Sequence, residues 1–160
     1  MKFHSPMIIV SDIEKSKLFY TEVLKETVTL DLGTYVIMGG FSMMSRETWK
    51  EQTKENQTST RNTGHNFELY FEESQLDEFV AELQRSQQFE EFQPLTEADW
   101  GQRAIRFLDP DGYVVEVSET MEEVVLRLLA SGMTIQEASE KSMMPVEFVH
   151  NCIAEHSKGK

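Results

Sequence analysis

Cysteine and positive charge are both scarce in this 160-residue chain, and each shortage closes a class of answers. Cys152 is the single cysteine, so neither a disulfide framework nor a cysteine-ligated zinc site can form within the chain. Fifteen basic residues stand against twenty-eight acidic ones, and the formal net charge of -13 repels a phosphate backbone and an anionic bilayer alike. Nucleic acid and membrane are therefore not expected as partners. No apolar run approaches the roughly eighteen residues of a membrane span. The short N-terminal run "MIIV" is bracketed by Pro6 and Asp12 with no small-residue cleavage site after it. Together with the lone cysteine this leads to an expectation of a cytoplasmic protein.

What is present is ordinary globular material, 39% hydrophobic and 27% charged, enough for a sizeable core. "PMIIVSD" (6–12) reads as a strand, and "IEKSKLFYTEVL" places Ile13, Leu18, Phe19, Val23 and Leu24 at helical spacing. "ETVTLDL", "TYVIMGG" and "FSMMSRE" follow as three strand-like segments parted by Gly33 and the Gly39-Gly40 pair. The first half is thus β-α-β-β-β. Residues 47–64 are polar apart from Trp49, lack apolar periodicity and read as a mobile connection.

The same order then returns. "HNFELYFE" alternates Phe67, Leu69 and Phe71, "SQLDEFVAELQRS" is an amphipathic helix, and "FEEFQPL", "GQRAIRFLD" and "YVVEVSE" are strands. Seven residues separate Ser5 from Asp12 and seven separate His65 from Glu72, which makes Ser5 and His65 equivalent positions. Beyond Glu119, Thr120 with Glu123 and Thr134 with Glu137 fit capping boxes, and Pro145 suits a first helical turn. The division is a domain at 1–118, with modules 1–46 and 65–118 and linker 47–64, then a three-helix extension at 119–160. A helix-turn-helix role for that extension is opposed by its seven acids against four bases.

The paired modules, "VSDIEKSKLFYTEVL" after the first strand, and "WGQRAIRFLDPDGYVVEV" at the end together resemble the vicinal oxygen chelate superfamily. That group holds glyoxalase I, the fosfomycin and bleomycin resistance proteins and the extradiol dioxygenases. The resemblance implies an α+β fold in which two βαβββ modules form a cupped mixed sheet, often in a homodimer. It also implies a divalent metal (Zn, Ni, Mn or Fe) held by a first-strand ligand, its counterpart in the second module, and a glutamate on the closing strand. Glu116 matches that glutamate, which would also move a proton, and His65 matches the second-module ligand. The first-strand position falls on Ser5, a poor ligand. His4 is adjacent, but neighbouring strand residues point to opposite faces, so it would ligate only through a slipped register or a bulge near Pro6. Met44, the counterpart of Glu116, supplies no hard ligand either.

Two functions follow from this pattern. One is small-molecule binding in a cup lined by Ser5, Tyr35, Met43, Met44, Phe67, Trp100 and Arg103, as the resemblance to bleomycin resistance proteins implies. The other is a metal-dependent lyase or isomerase of the glyoxalase I type using His65 and Glu116. Alternation puts Val114, Glu116 and Ser118 on one strand face, with Arg103 and Arg106 as candidate partners for the acid. His150 and Cys152, two apart on a helix, face different ways and form no nucleophile-base pair.

Overall fold

The computed structural model describes residues 4–53, 67–86 and 89–158. The chain falls into two compact units, Met1–Glu68 with Leu108–Val114, and Leu69–Phe107 with Val115–Lys160. The turn between the last two strands thus belongs to the first unit, and the helical extension belongs to the second.

The first unit holds β1 (Met7–Val10), α1 (Ile13–Glu22), β2 (Val28–Asp31), β3 (Tyr35–Met38), β4 (Phe41–Ser45) and α2 (Arg46–Thr53). Its sheet runs β1-β4-β3-β2, with β1 parallel to β4 and the other neighbours antiparallel. The parallel pair needs a long crossover, and α1 begins it: Asp12 caps the helix by accepting from the Lys15 amide at 3.0 Å. Tyr20 of α1 is fully buried, with its ring 4.9 Å from that of Phe41. This places α1 over the face that carries Ile8, Val10, Val36, Met38 and Met43, all buried.

The stretch expected to be a structureless connection opens as helix α2. Arg, Glu, Lys and Gln are good helix formers, and Ser45 accepts from the Thr48 amide at 3.3 Å as an N-cap would. A polar helix has no apolar period, so the pattern that marks other helices is missing here. The rest of that connection, 54–64, lies outside the described residues.

In the second unit β5 (Glu68–Glu73), α3 (Leu76–Ser86), β6 (Glu90–Glu97), β7 (Arg103–Leu108) and β8 (Val114–Glu119) form a sheet of order β5-β8-β7-β6, the order of the first sheet. α3 buries Leu76, Val80 and Leu83, and its Phe79 ring lies 6.3 Å from Phe107, so α3 covers the face bearing Phe107. The extension follows as α4 (Met121–Ala130), α5 (Ile135–Ser142) and α6 (Val146–Lys158). Thr120 caps α4, while Thr134 and Glu137 form the complete reciprocal box on α5. Val124, Leu128 and Ala138 make one buried cluster, and Val125, Val149 and Cys152 a second. Cys152 therefore packs; burial pushes its thiol up, away from the reactive thiolate.

The 108–114 turn is the polar centre of the first unit. Pro110 pre-sets its bend, Gly112 takes φ +82°, and the Gly112 amide donates to the Asp109 carbonyl at 3.0 Å. The Asp109 carboxylate accepts from the amides of Asp111 (2.9 Å) and Tyr113 (2.8 Å) and from the Tyr20 hydroxyl (2.8 Å). Asp111 accepts from the Ser11 amide at 2.9 Å and the Ser16 hydroxyl at 3.3 Å, while the Tyr113 hydroxyl meets both backbone groups of Ile9. Loop and helix are locked to one another by two acids.

Burial pushes the Asp109 carboxyl from 3.8 up to about 6 despite its three donors. A carboxyl raised in the fold binds more protons folded than unfolded, so its contribution to stability falls as pH rises from about 4 to about 6. Asp109→Asn keeps two amide acceptor contacts without the charge. Urea titrations across that range should show wild type losing ground to the variant by on the order of 2 to 3 kcal/mol. Parallel profiles would show that the fold does not raise the Asp109 carboxyl.

Candidate functional site

Glu116 sits in the middle of β8, 6% exposed, where an unpaired carboxylate would be costly. Its partners come from its own unit. Arg106 of β7 forms an ion pair with it, and the Ser118 hydroxyl donates to its other oxygen at 2.6 Å. Arg106 also donates to Gln93 of β6 at 2.7 Å. Three neighbouring strands thus hold one neutralised polar cluster, on the face turned away from α3.

The rest of that face is aromatic and hydrogen-bonded. Gln102, just before β7, donates to the Tyr70 hydroxyl at 3.1 Å and the Glu119 carbonyl at 2.8 Å, and accepts from the Trp100 indole at 3.1 Å. Tyr70 in turn donates to Glu72 at 3.0 Å. Burial pushes the Tyr70 phenol up, and the charges of Glu72 and Glu116 add to the effect. Tyr70 is 50% exposed and Trp100 39%, so two rings are fixed by a single amide yet still face solvent. A planar apolar group has a stacking surface there, with satisfied polar groups at its margin.

On the other side of the same sheet stands a second buried acid. Glu119 is bound by Arg103 (3.0 Å) and by Arg127 of α4 (2.9 Å), and Arg103 also pairs with Asp77 of α3 at 2.8 Å. Burial pushes the Glu119 carboxyl up, but the two guanidinium groups outweigh it and hold the group below its ordinary range. A cleft of about 290 Å³ opens at this cluster, between Ser74–Glu78 and Glu123.

The sequence-derived candidates divide accordingly. Glu116 and Trp100 lie on the face turned away from α3. Arg103 lies on the opposite face: alternation along β7 separates it from Arg106, and Arg106 is the partner of Glu116. In the first unit, Tyr35 and Met44 are cross-strand partners, and Ile9 pairs with Met44 from the other side. Cross-strand partners share a face, so these three lie together, turned away from α1. Met43 points the other way and is fully buried. Phe67 precedes β5, 40% exposed, with its ring 6.3 Å from Tyr113. Ser5 precedes β1 by two residues and is half-buried; its hydroxyl lies 3.3 Å from Nδ1 of His4, which is exposed. His65 lies outside the described residues. Tyr70, Gln93, Gln102, Glu119 and Arg127 were not among the candidates; the available signal for the second cluster was Glu119 itself, an acid at the end of a strand-like run.

A divalent metal would need Glu116 as an available ligand. The described residues do not fit one, because the Glu116 carboxylate is engaged by a cation and a hydroxyl. Among the described residues no three of His, Cys, Asp or Glu gather as a metal-holding group.

Two four-stranded sheets of one strand order, each from a β-α-β-β-β module, define the class: paired-module α+β proteins. The Glyoxalase-like domain family matches residues 3–122, so the chain belongs to that family, within the vicinal oxygen chelate superfamily. No curated protein matches the chain. Among solved structures, a protein of unknown function from Agrobacterium tumefaciens is 32% identical, covering 75% of this chain and 94% of its own, with a TM-score of 0.67. A glyoxalase/bleomycin resistance protein/dioxygenase from Nocardioides is 21% identical over 74% and 83%, TM-score 0.58. A glyoxalase-related enzyme from Fulvimarina pelagi is 17% identical over 75% and 89%, TM-score 0.59. At these identities the last two speak for the fold.

The Arg106–Glu116 pair generates a test of its own. Arg106→Met strands a buried carboxylate and should cost about 2 to 3 kcal/mol by denaturant titration, whereas adding Glu116→Met should restore more than half of that loss. Additive costs in the double variant would show that the two side chains do not depend on each other.

Proposed function

We propose that this protein binds a small organic molecule against the face of its second sheet that turns away from α3, without a metal. The observation that carries this reading is the neutralisation of Glu116 by Arg106 beside two solvent-facing rings fixed through Gln102. A carboxylate satisfied in this way sets the polarity of a binding surface; it is not poised to ligate. Tyr70 and Trp100 supply area at low entropic cost, since each has only two rotatable side-chain bonds and both are already held. Membership of the Glyoxalase-like domain family supports small-molecule chemistry on such sheets. Exposed apolar residues on the edge strands, Leu30 of β2 with Phe92 and Leu95 of β6, support a homodimer in a cytoplasmic protein. Light scattering should then give twice the chain mass.

The experiment pairs a metal titration with a neutral probe. Nickel, zinc and manganese titrated calorimetrically into wild type and Glu116→Ala should show no site that depends on Glu116. Nile red, a neutral solvatochromic dye, should bind saturably, with affinity reduced about fivefold in Tyr70→Ala, the weight of one aromatic contact. Near-stoichiometric metal in protein purified without chelator, lost in Glu116→Ala, would instead establish the metal-dependent lyase or isomerase.

A further inference from the structure

The helical extension lies almost wholly outside the family domain, which ends at residue 122, and the matched structures cover about three quarters of the chain. Its first helix nevertheless meets the loop that presents Trp100. That loop is tight: the Ala98 amide donates to the Gln102 carbonyl at 2.9 Å and the Gly101 amide to the Ala98 carbonyl at 2.8 Å. Gly101 takes φ +88°, and a β-carbon there would come 3.6 Å from Val124 and 3.7 Å from Leu128 of α4. The helix packs directly on the glycine backbone. From the same helix Arg127 donates to the Gly101 carbonyl while its other nitrogens hold Glu119 and, at 3.4 Å, Glu97. The Glu119 carbonyl receives the Gln102 amide that in turn fixes Tyr70.

We propose that Arg127 is a positioning residue: through Gly101 and Glu119 it sets the Trp100–Gln102 loop, and so makes the extension part of the ligand face. The inference rests on the reading that this face binds a small molecule, but the loop geometry can be tested without a ligand. One guanidinium spans a carboxylate and a carbonyl at once because its donors form a rigid planar fork; an ammonium at the end of a lysine chain meets one of them at a time. Val124 and Leu128 also belong to the buried cluster with Ala138, so the packing of α5 against α4 bears on where Gly101 rests. Ligand affinity then depends on residues that touch no ligand.

The test uses the full chain with Trp49→Phe, which leaves Trp100 as the sole tryptophan. Arg127→Lys keeps the charge beside Glu119 and should retain the wild-type far-ultraviolet dichroism. Acrylamide quenching of Trp100 should rise, and the Nile red dissociation constant should increase about tenfold, the weight of one charge-assisted hydrogen bond. Glu97→Gln trims only the outermost contact and should leave both readouts at wild type. A folded Arg127→Lys protein with unchanged quenching and unchanged Nile red affinity would overturn the proposal. Hydrogen exchange on the unmutated chain decides the matter even if the variant does not fold. The Ala98 and Gly101 amides should open together with the α4 amides, and a separate, faster opening of the loop would overturn the coupling. Failure of Nile red to bind wild type would remove the ligand reading alone, since quenching and exchange still judge the positioning.

Discussion

Strand β8 is buried along its whole length and yet carries two carboxylates, Glu116 and Glu119, three positions apart and so on opposite faces. Each meets a cation there, and the arginines that meet them account for much of the second unit. Arg106 answers Glu116 from the adjoining strand and brings Gln93 of β6 into the cluster. Arg103 and Arg127 answer Glu119 and bring in α3 through Asp77, the β6 end through Glu97, and α4 itself. Such pairs do little for stability compared with apolar packing, but removing one member is costly, and that cost fixes which strands and helices stand beside β8. Each face has its own acid and its own chemistry: a stacking surface on one side, an anchor for the extension on the other.

The first unit solves the same topology by other means. Its closing strand β4 carries "FSMMS" where β8 carries acids. The polar work there is done by the 108–114 turn, whose two aspartates bind α1 and the residue after β1. The repeat thus preserves strand order while exchanging the source of its polar order. This explains why the two halves are alike in element sequence and unlike in residue identity.

The order of elements along the chain, both module helices and all three helices of the extension were legible in the sequence, because each has an apolar period or a cap that acts locally. Alternation along "GYVVEVS" was enough to isolate Glu116 and to narrow its partners to two arginines. Choosing between them required knowing which face α3 covers, a tertiary fact. The aromatic face of Tyr70 and Trp100 was less legible still. Trp100 stood out as the aromatic before a glycine, but Tyr70 and Gln102 join it only through a bent loop and a cross-strand hydrogen bond thirty-two positions apart. Helix α2 escaped because nothing apolar repeats in it, although Ser45 stood ready as its cap.

The two buried acid centres also pull stability in opposite directions with pH. Asp109 is raised in the fold, so it favours the folded first unit more as the solution becomes acidic, down to the unfolded value near 4. Glu119 is lowered in the fold, so its contribution is complete above its unfolded value and is lost as pH falls toward and through the folded one. Acidification from about pH 6 to about pH 4 therefore protonates Asp109 in the 108–114 turn while Glu119 still holds Arg127 and Arg103. Only stronger acid, below the ordinary carboxylate value, reaches the contact by which α4 grips the loop of Trp100, so in this chain proton binding acts on the 108–114 turn before it acts on the anchor of the extension.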